Sequence, residues 1–329
     1  MKYYENILEL IGNTPVLKLN RVVEDGCATI LAKLEYLNPM GSVKERMALY
    51  IIEDAEKRGI LKPGGTIVDN TSGNAGIGAA LIAALKGYRS IFAISDKMSQ
   101  EKIDLLKALG AEVVVTPADV PPDHPESCIE QAKKIAKEIP GSFHLNQYHN
   151  QKNIEAHYNI TGPEIWEQTD GKLDCFVAGI GTGGTLSGAG KYLKEKNPKI
   201  KIVAVDPVGS IFTEYIQKGT VPEPELYQLE GIGSDVVTLA LDKSVIDEVI
   251  QVSDKEAFLM TRRLCLEEGL YVGGSSGACV VASLKVAKEL GKDKLLVTVM
   301  ADTGSRYLSK IYSDSWMREH GFLDEDKKN

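Results

Sequence analysis

Thr66-Ile67-Val68-Asp69-Asn70-Thr71-Ser72-Gly73-Asn74-Ala75-Gly76 is the stretch whose reading decides the fold. Thr66, Ile67 and Val68 are β-branched, so residues 66–69 read as a buried strand. A polar turn around one glycine follows, and small residues then predict a helix over 75–86. The alternation continues downstream. Strands are expected at 90–94 and 112–115, with helices over 99–109 and near 126–138. Such a βαβαβα run calls for a parallel sheet covered by helices. The pattern resumes with strands at 175–178 and 201–205, a helix after Thr185, and a closing strand at 295–299. Ser253-Asp254-Lys255-Glu256 is a capping box that opens a helix running to Glu268. The chain has 329 residues, more than one core usually holds. Two α/β lobes are therefore expected, each a mostly parallel sheet flanked by helices. One covers 45–146 and the other 1–44 plus 147–329. Ligands in such sheets sit beyond the carboxyl ends of the strands.

Composition narrows the classes. A hydrophobic share of 43% and a charged share of 26% are those of a soluble globular protein. The net charge is −8 and the basic residues are scattered, which argues against nucleic acid. The start, Met1-Lys2-Tyr3-Tyr4-Glu5-Asn6, lacks a signal-peptide core, and no apolar run approaches the roughly 18 residues of a membrane span. Cys27, Cys128, Cys175, Cys265 and Cys279 are widely spaced and form no Cys-x-x-Cys pair, so neither a metal site nor a disulfide framework is suggested. Cytoplasm is the expected location, and Cys175 and Cys279 read as buried hydrophobes. The segments Val120-Pro121-Pro122-Asp123-His124-Pro125 and Val221-Pro222-Glu223-Pro224 read as surface loops, and residues 323–329 as a frayed end.

The chemistry lies in three places. Gly181-Thr182-Gly183-Gly184-Thr185 follows the strand Cys175-Phe176-Val177-Ala178 and opens a helix. Its backbone N–H groups, its hydroxyls and the helix dipole suit a phosphate. A bare strand-to-helix turn needs fewer glycines. Gly179-x-Gly181-x-x-Gly184 also matches a dinucleotide fingerprint, with Asp206 placed for a ribose. That alternative is a nicotinamide-dependent dehydrogenase, and it leaves Lys44 without a role. Lys191 is followed by Tyr192, so no Walker A loop is present. The second place is the loop 70–76, whose side-chain donors beside a helix start suit a carboxylate. Capping by Ser72 or Asn74 would explain one polar residue there, not all of them. The third is Lys44, which opens a helix with the apolar face Met47, Ala48, Ile51, Ile52, Ala55. A desolvated lysine near a helix N-terminus loses its proton readily and can form an imine. A phosphate cradle plus an imine-forming amine points to pyridoxal 5'-phosphate.

At these residues the chain resembles the fold-type-II pyridoxal-phosphate enzymes of β-replacement, the cysteine synthases and cystathionine β-synthases. The likeness runs from Leu10-Ile11-Gly12-Asn13-Thr14-Pro15 to Ser313-Asp314-Ser315-Trp316-Met317. Ile52-Glu53-Asp54-Ala55-Glu56 and Glu230-Gly231-Ile232-Gly233 look closest to the cystathionine β-synthase catalytic core, without that group's regulatory domains or haem-binding extension. The resemblance implies that Lys44 forms the imine and then moves the Cα proton. Gly181, Thr182, Gly183, Gly184 and Thr185 would hold the phosphate, Asn74 the ring hydroxyl, and Thr303 the pyridine nitrogen. Thr71, Ser72, Asn74 and Gln147 would bind the substrate carboxylate, with Tyr148 at its border. Ser234 and Asp235 follow the Gly231-Ile232-Gly233 turn that borders the substrate in this family. An acid there can accept a proton from the incoming thiol or water, and a surface or turn-capping aspartate is the alternative reading. Gly273-Gly274-Ser275-Ser276-Gly277 would let backbone approach the ring, while His149 and His157 read as structural.

A neutral Thr303 makes the ring a shallower electron sink than an aspartate would, which favours loss of a β-substituent. The implied activity is β-replacement on serine, activated serine or cysteine through an aminoacrylate, exchanging oxygen and sulfur substituents. Small amino acids are the implied partners and a homodimer the implied assembly. An alternative is a cysteine-consuming, hydrogen sulfide-releasing enzyme that leaves serine, lanthionine or pyruvate. Another is a catalytically silent binding protein. The chain departs from the family pattern at Met40, Glu45, Asn70, Ala75, Ile154 and Ala301, and Ala75 puts the carboxylate loop and substrate choice in question.

Overall fold

A computed structural model describes residue 1 and residues 3–324, so residues 325–329 of the expected frayed end lie outside the described residues. Leu323 is tied in, its N–H donating to Met317 O at 3.2 Å. The strands are β1 (Val16–Lys18), β2 (Thr29–Leu34), β3 (Thr66–Thr71), β4 (Arg89–Ser95), β5 (Glu112–Thr116), β6 (Phe143–His144), β7 (Cys175–Gly179), β8 (Lys201–Pro207), β9 (Glu248–Val252) and β10 (Leu295–Met300). They form two sheets. The smaller has the order β5-β4-β3-β6 and is parallel throughout. The larger has the order β1-β2-β10-β7-β8-β9 and is parallel except where β1 pairs with β2.

Helices cover both faces. They are α1 (Lys44–Lys57), α2 (Asn74–Lys86), α3 (Gln100–Ala108), α4 (Cys128–Glu138), α5 (Lys152–Ala156), α6 (Gly162–Gln168), α7 (Gly184–Lys196), α8 (Phe212–Lys218), α9 (Asp254–Glu268), α10 (Gly274–Leu290) and α11 (Asp314–Glu319). Successive side chains of a strand point to opposite faces. Cys175 and Val177 of β7 accordingly pack with Phe258 of α9 and Val280 of α10, while Phe176 and Ala178 pack with Leu186 of α7 and Phe212 of α8. In the smaller sheet Ile67 and Phe92 meet Met47 and Ile77, and Val68 and Ile91 meet Ala132. Burial on both faces explains why residues 175–178 of β7 and 91–94 of β4 are apolar at consecutive positions.

The predicted elements differ from the observed ones mainly at their ends. β3 runs on through Asn70 and Thr71 because those residues pair with Ala93 and Ile94. α4 starts at Cys128, where Ser127 caps it by accepting from Glu130 N. Ser253 forms its capping box with Glu256, as the sequence predicts. The cysteines are unpaired, with Cys175 and Cys279 buried. Among the described residues no helix is long and apolar enough to cross a membrane.

One buried charge network fixes α1. The Arg46 guanidinium donates to Glu35 at 2.6 and 2.8 Å and to Glu164 at 2.6 and 2.7 Å, and Lys33 Nζ donates to Glu164 at 2.7 Å. These bonds hold the start of α1 against the end of β2 and against α6. Buried charges are tolerated when, as here, their donors and acceptors are filled.

Candidate active site

A cavity of about 270 Å³ opens beyond the carboxyl ends of both sheets. Its wall takes Asn70 to Ser72 at the end of β3, Ser95 and Lys97 at the end of β4, Pro117 after β5, Gln147 after β6, and Gly181 after β7. This is the crevice that open α/β sheets offer to ligands.

Lys44 reaches it from the first turn of α1. Val43, at the cap position, offers no side-chain acceptor; Ser42 Oγ accepts from Lys44 N at 3.3 Å, and Glu45 reaches back. Its Oε2 accepts from Met40 N at 2.9 Å and its Oε1 from Ser42 N at 3.0 Å. Burial pushes the Glu45 carboxyl up to about 7, although both amide bonds pull the other way. The loop before α1 is also pinned to the segment after β10, with Val43 N donating to Ala301 O at 2.9 Å and Thr303 N to Gly41 O at 3.0 Å. Gly41 has φ +79°, and a Cβ there would lie 2.9 Å from Thr303 Cγ2, so glycine is required. Lys44 Nζ has no ion pair or hydrogen bond among the described residues. Burial lowers its pKa and the Asp302 charge partly restores it. The positive end of α1 adds to that lowering. An amine of this kind is a ready nucleophile and base.

Opposite stands the glycine bend. α7 begins after Gly183 (φ +94°), which has no side chain to cap it; Thr182 Oγ1 accepts from Gly184 N at 3.4 Å, and the amides that follow in the first turn are left for an anion. Part of the glycine content serves the protein's own packing. A Cβ on Gly181 would lie 2.5 Å from Gly231 O, one on Gly183 2.7 Å from Leu241 Cα, and one on Gly184 would run into the Asn153 carboxamide. Thr182 and Thr185 are both buried. A helix start preceded by glycine and bordered by two hydroxyls fits a phosphate group. Gly181 and Thr182 share the cavity wall with Lys44, whereas Gly183, Gly184 and Thr185 are buried beyond that wall.

The third wall is the β3–α2 loop. Thr71 Oγ1 accepts from Gly73 N and Gly76 N at 3.0 Å each. Gln147 Nε2 donates to Asn70 O at 3.0 Å, and Ser72 is half-buried on the wall. Tyr148 lines the same cavity, and burial raises its pKa. Asn74 is buried, with Nδ2 donating to Asp302 Oδ2 at 2.7 Å and Oδ1 accepting from Arg306. Ser234 and Asp235 complete the rim. Ser234 Oγ is spent within its own turn, donating to Val236 O at 2.7 Å and accepting from Val236 N at 3.1 Å, while Asp235 is exposed.

Thr303, expected at the pyridine nitrogen, lies in the segment just after β10. Its oxygen accepts from Ser305 N at 3.3 Å and its methyl packs on Gly41. The neighbouring Asp302 is the buried one, taking Asn74 Nδ2 and the Tyr307 hydroxyl at 2.7 Å each, with Oδ1 unpartnered. Sequence reading also passed over Lys97, whose ammonium lies 4.6 Å over the Tyr227 ring on the cavity wall. Burial lowers its pKa, opposed by Asp235 and Glu230. Val120 and Pro122, read as a surface loop, border the cavity as well. No local signal marks these residues, because their partners come from distant segments. Asp206 accepts from Thr213 N at 2.9 Å and Thr213 Oγ1 at 2.8 Å, so its buried carboxylate serves the start of α8 and not a ribose.

Known proteins share this chain over most of its length. It is 48% identical to the cystathionine beta-synthase of Apis mellifera over 325 residues, which are 98% of this chain and 64% of that protein. With the cystathionine beta-synthase of Oryctolagus cuniculus the identity is 46% over 329 residues, covering 99% of this chain and 59% of the other. With the cysteine synthase of Staphylococcus aureus strain Mu50 it is 47% over 314 residues, covering 95% of this chain and 98% of the other. The chain thus spans about three fifths of the cystathionine beta-synthases it matches and nearly all of the cysteine synthase. The family described as pyridoxal-phosphate dependent enzyme matches over residues 7–302. With a match of that extent, the chain belongs to the pyridoxal-phosphate dependent enzymes.

Proposed function

We propose that this protein exchanges oxygen and sulfur substituents at the β-carbon of serine, an activated serine or cysteine, yielding cysteine or cystathionine. The observation that carries the reading is the meeting of Lys44, the Gly181–Thr182 turn that leads into α7 and the Thr71–Gln147 wall on one cavity. The names of the relatives support the same chemistry.

When bound, the cofactor supplies an electron sink for charge at the substrate Cα. The first-turn amides of α7 beyond Gly184, with Thr182 and Thr185, would hold its phosphate, Asn74 its ring oxygen, and Lys44 its aldehyde carbon. Lys44, its proton loosened by burial, then takes and returns the Cα proton. Thr71 oxygen already accepts two amides, so its hydroxyl hydrogen is left to donate, which suits a carboxylate. Gln147 Nε2 spends one hydrogen on Asn70 O and has a second for the same carboxylate. Of the two rim residues, Asp235 has a free carboxylate to accept the proton of an incoming thiol or water, and Ser234 shapes the turn that presents it.

In this reading residues 45–146 form the smaller, moving lobe, and the protein works in the cytoplasm as a homodimer. Serine, O-acetylserine, O-phosphoserine and cysteine, each added alone to the holoprotein, test it. At least one should shift the visible absorbance, and sulfide or an amino-acid thiol should then give cysteine or a thioether by mass. A spectrum that none of the four moves would overturn the proposal.

A further inference from the structure

The two threonines of the glycine bend are each held from beneath by one short stretch of chain. Asn153 Nδ2 donates to Thr182 Oγ1 at 2.9 Å and to Gln147 O at 2.9 Å. His157 Nε2 lies 3.2 Å from Thr185 Oγ1, and its Nδ1 lies 2.9 Å from Thr161 Oγ1. Asn153 is 2% exposed and His157 1%. Glycines permit the approach, since a Cβ on Gly184 would run into the Asn153 carboxamide and one on Gly188 would come 2.8 Å from His157 Cβ. From His157 to Thr161 the backbone takes a π-helical turn, a rare form that gathers at functional sites.

Hydrogen bookkeeping gives these contacts a direction. The Asn153 amide can only donate through Nδ2, so the Thr182 oxygen accepts and its own hydrogen stays free. His157 is fully enclosed, and burial together with the Lys44 and Arg46 charges keeps its ring neutral. A neutral imidazole carries one N–H. If Nε2 bears it, Thr161 donates to Nδ1 and Thr185 keeps its hydrogen. If Nδ1 bears it, Thr185 must spend its hydrogen on Nε2 and would turn a lone pair toward any anion in the bend.

We propose that Asn153 and His157 are positioning residues that donate to the Thr182 and Thr185 oxygens and so aim both hydroxyl hydrogens at an anion in the bend. The inference rests on the reading that the bend takes the cofactor phosphate, which accepts hydrogen bonds and cannot donate when fully ionised.

Two measurements test it. The first is titration of the apoprotein with pyridoxal 5'-phosphate, followed by visible absorbance. Thr185→Val should weaken binding about tenfold, the loss of one charge-assisted hydrogen bond. His157→Leu should weaken it by a similar factor, and the double variant no further than Thr185→Val alone. His157→Gln, which restores a donor near the Nε2 position, should recover most of the loss. The second needs no substitution: the ¹⁵N spectrum of histidine-labelled holoprotein should show His157 as the Nε2–H tautomer. An Nδ1–H tautomer overturns the inference. So does a His157→Leu protein that binds as tightly as the parent while Thr185→Val does not, or losses that simply add in the double variant. If Thr185→Val itself costs nothing, the underlying phosphate assignment fails instead.

Discussion

Lys102 Nζ donates to Glu230 Oε2 at 2.6 Å with both side chains buried, tying α3 beside the smaller sheet to the turn that carries Ser234 and Asp235. Lys310 Nζ fills the other oxygen at 2.7 Å and also donates to Lys97 O at 2.8 Å. Burial alone would raise the Glu230 pKa, but the ammonium groups of Lys102 and Lys310 overcome it and hold the carboxyl below its ordinary value. Its stabilising contribution is therefore present above pH 4.5 and lost as pH falls further.

Glu230→Gln leaves Lys102 buried beside a neutral amide. Breaking one side of a buried pair costs about 3–5 kcal/mol. Denaturant unfolding at neutral pH should show a loss of that size, and one below about 1 kcal/mol would mean that water already relieves the site.

Glu45 has the opposite sign. Its carboxyl titrates near 7 in the fold against 4.5 ordinarily, so the folded chain holds a proton that the unfolded chain has released. Stability should fall as pH rises from 4.5 to 7 and then level off, by up to about 3 kcal/mol from this group. Glu45→Gln should remove that slope. Unfolding midpoints across the range, compared between the two proteins, decide it; identical slopes would contradict the assignment.

Gly184→Ala places a methyl where the Asn153 carboxamide sits. Overpacking of this kind costs about 1–3 kcal/mol. The displaced Asn153 should also release Thr182, so cofactor affinity should drop together with the unfolding midpoint. Calorimetry of the apoprotein with a cofactor titration checks both, and an unchanged affinity would separate the bend from the ligand.

Asp235→Asn should slow capture of the thiol by about 100-fold, the lower end for loss of a general base, while leaving the first half-reaction intact. Ser234→Ala should instead cost about 1 kcal/mol of stability, since its hydroxyl serves only its own turn. Stopped-flow absorbance resolves the two half-reactions. Equal slowing of both by Asp235→Asn would remove its role as a base.

The parallel sheets were legible because their strands, buried on both faces, are mostly apolar, as in Cys175 to Ala178 and in Leu295 to Val299, which Thr298 alone interrupts. Glycine concentration and a helix-opening lysine marked the bend and Lys44 for the same reason: each motif is contiguous. What escaped depends on long-range approach. Lys97 meets Tyr227, Asn74 meets Asp302, and His157 meets Thr185, across 130, 228 and 28 positions of chain. Nor does spacing tell Asp302 from Thr303, because neighbours in an extended segment point to opposite sides. β1 and β6, of three and two residues, are too short to show a period.

Borohydride reduction of the holoprotein followed by peptide mapping bears most directly on the central claim. A reduced pyridoxyl group should appear on one peptide, attached to Lys44, and Lys44→Ala should take up none. A label on another lysine, or none with the cofactor bound, would contradict the account.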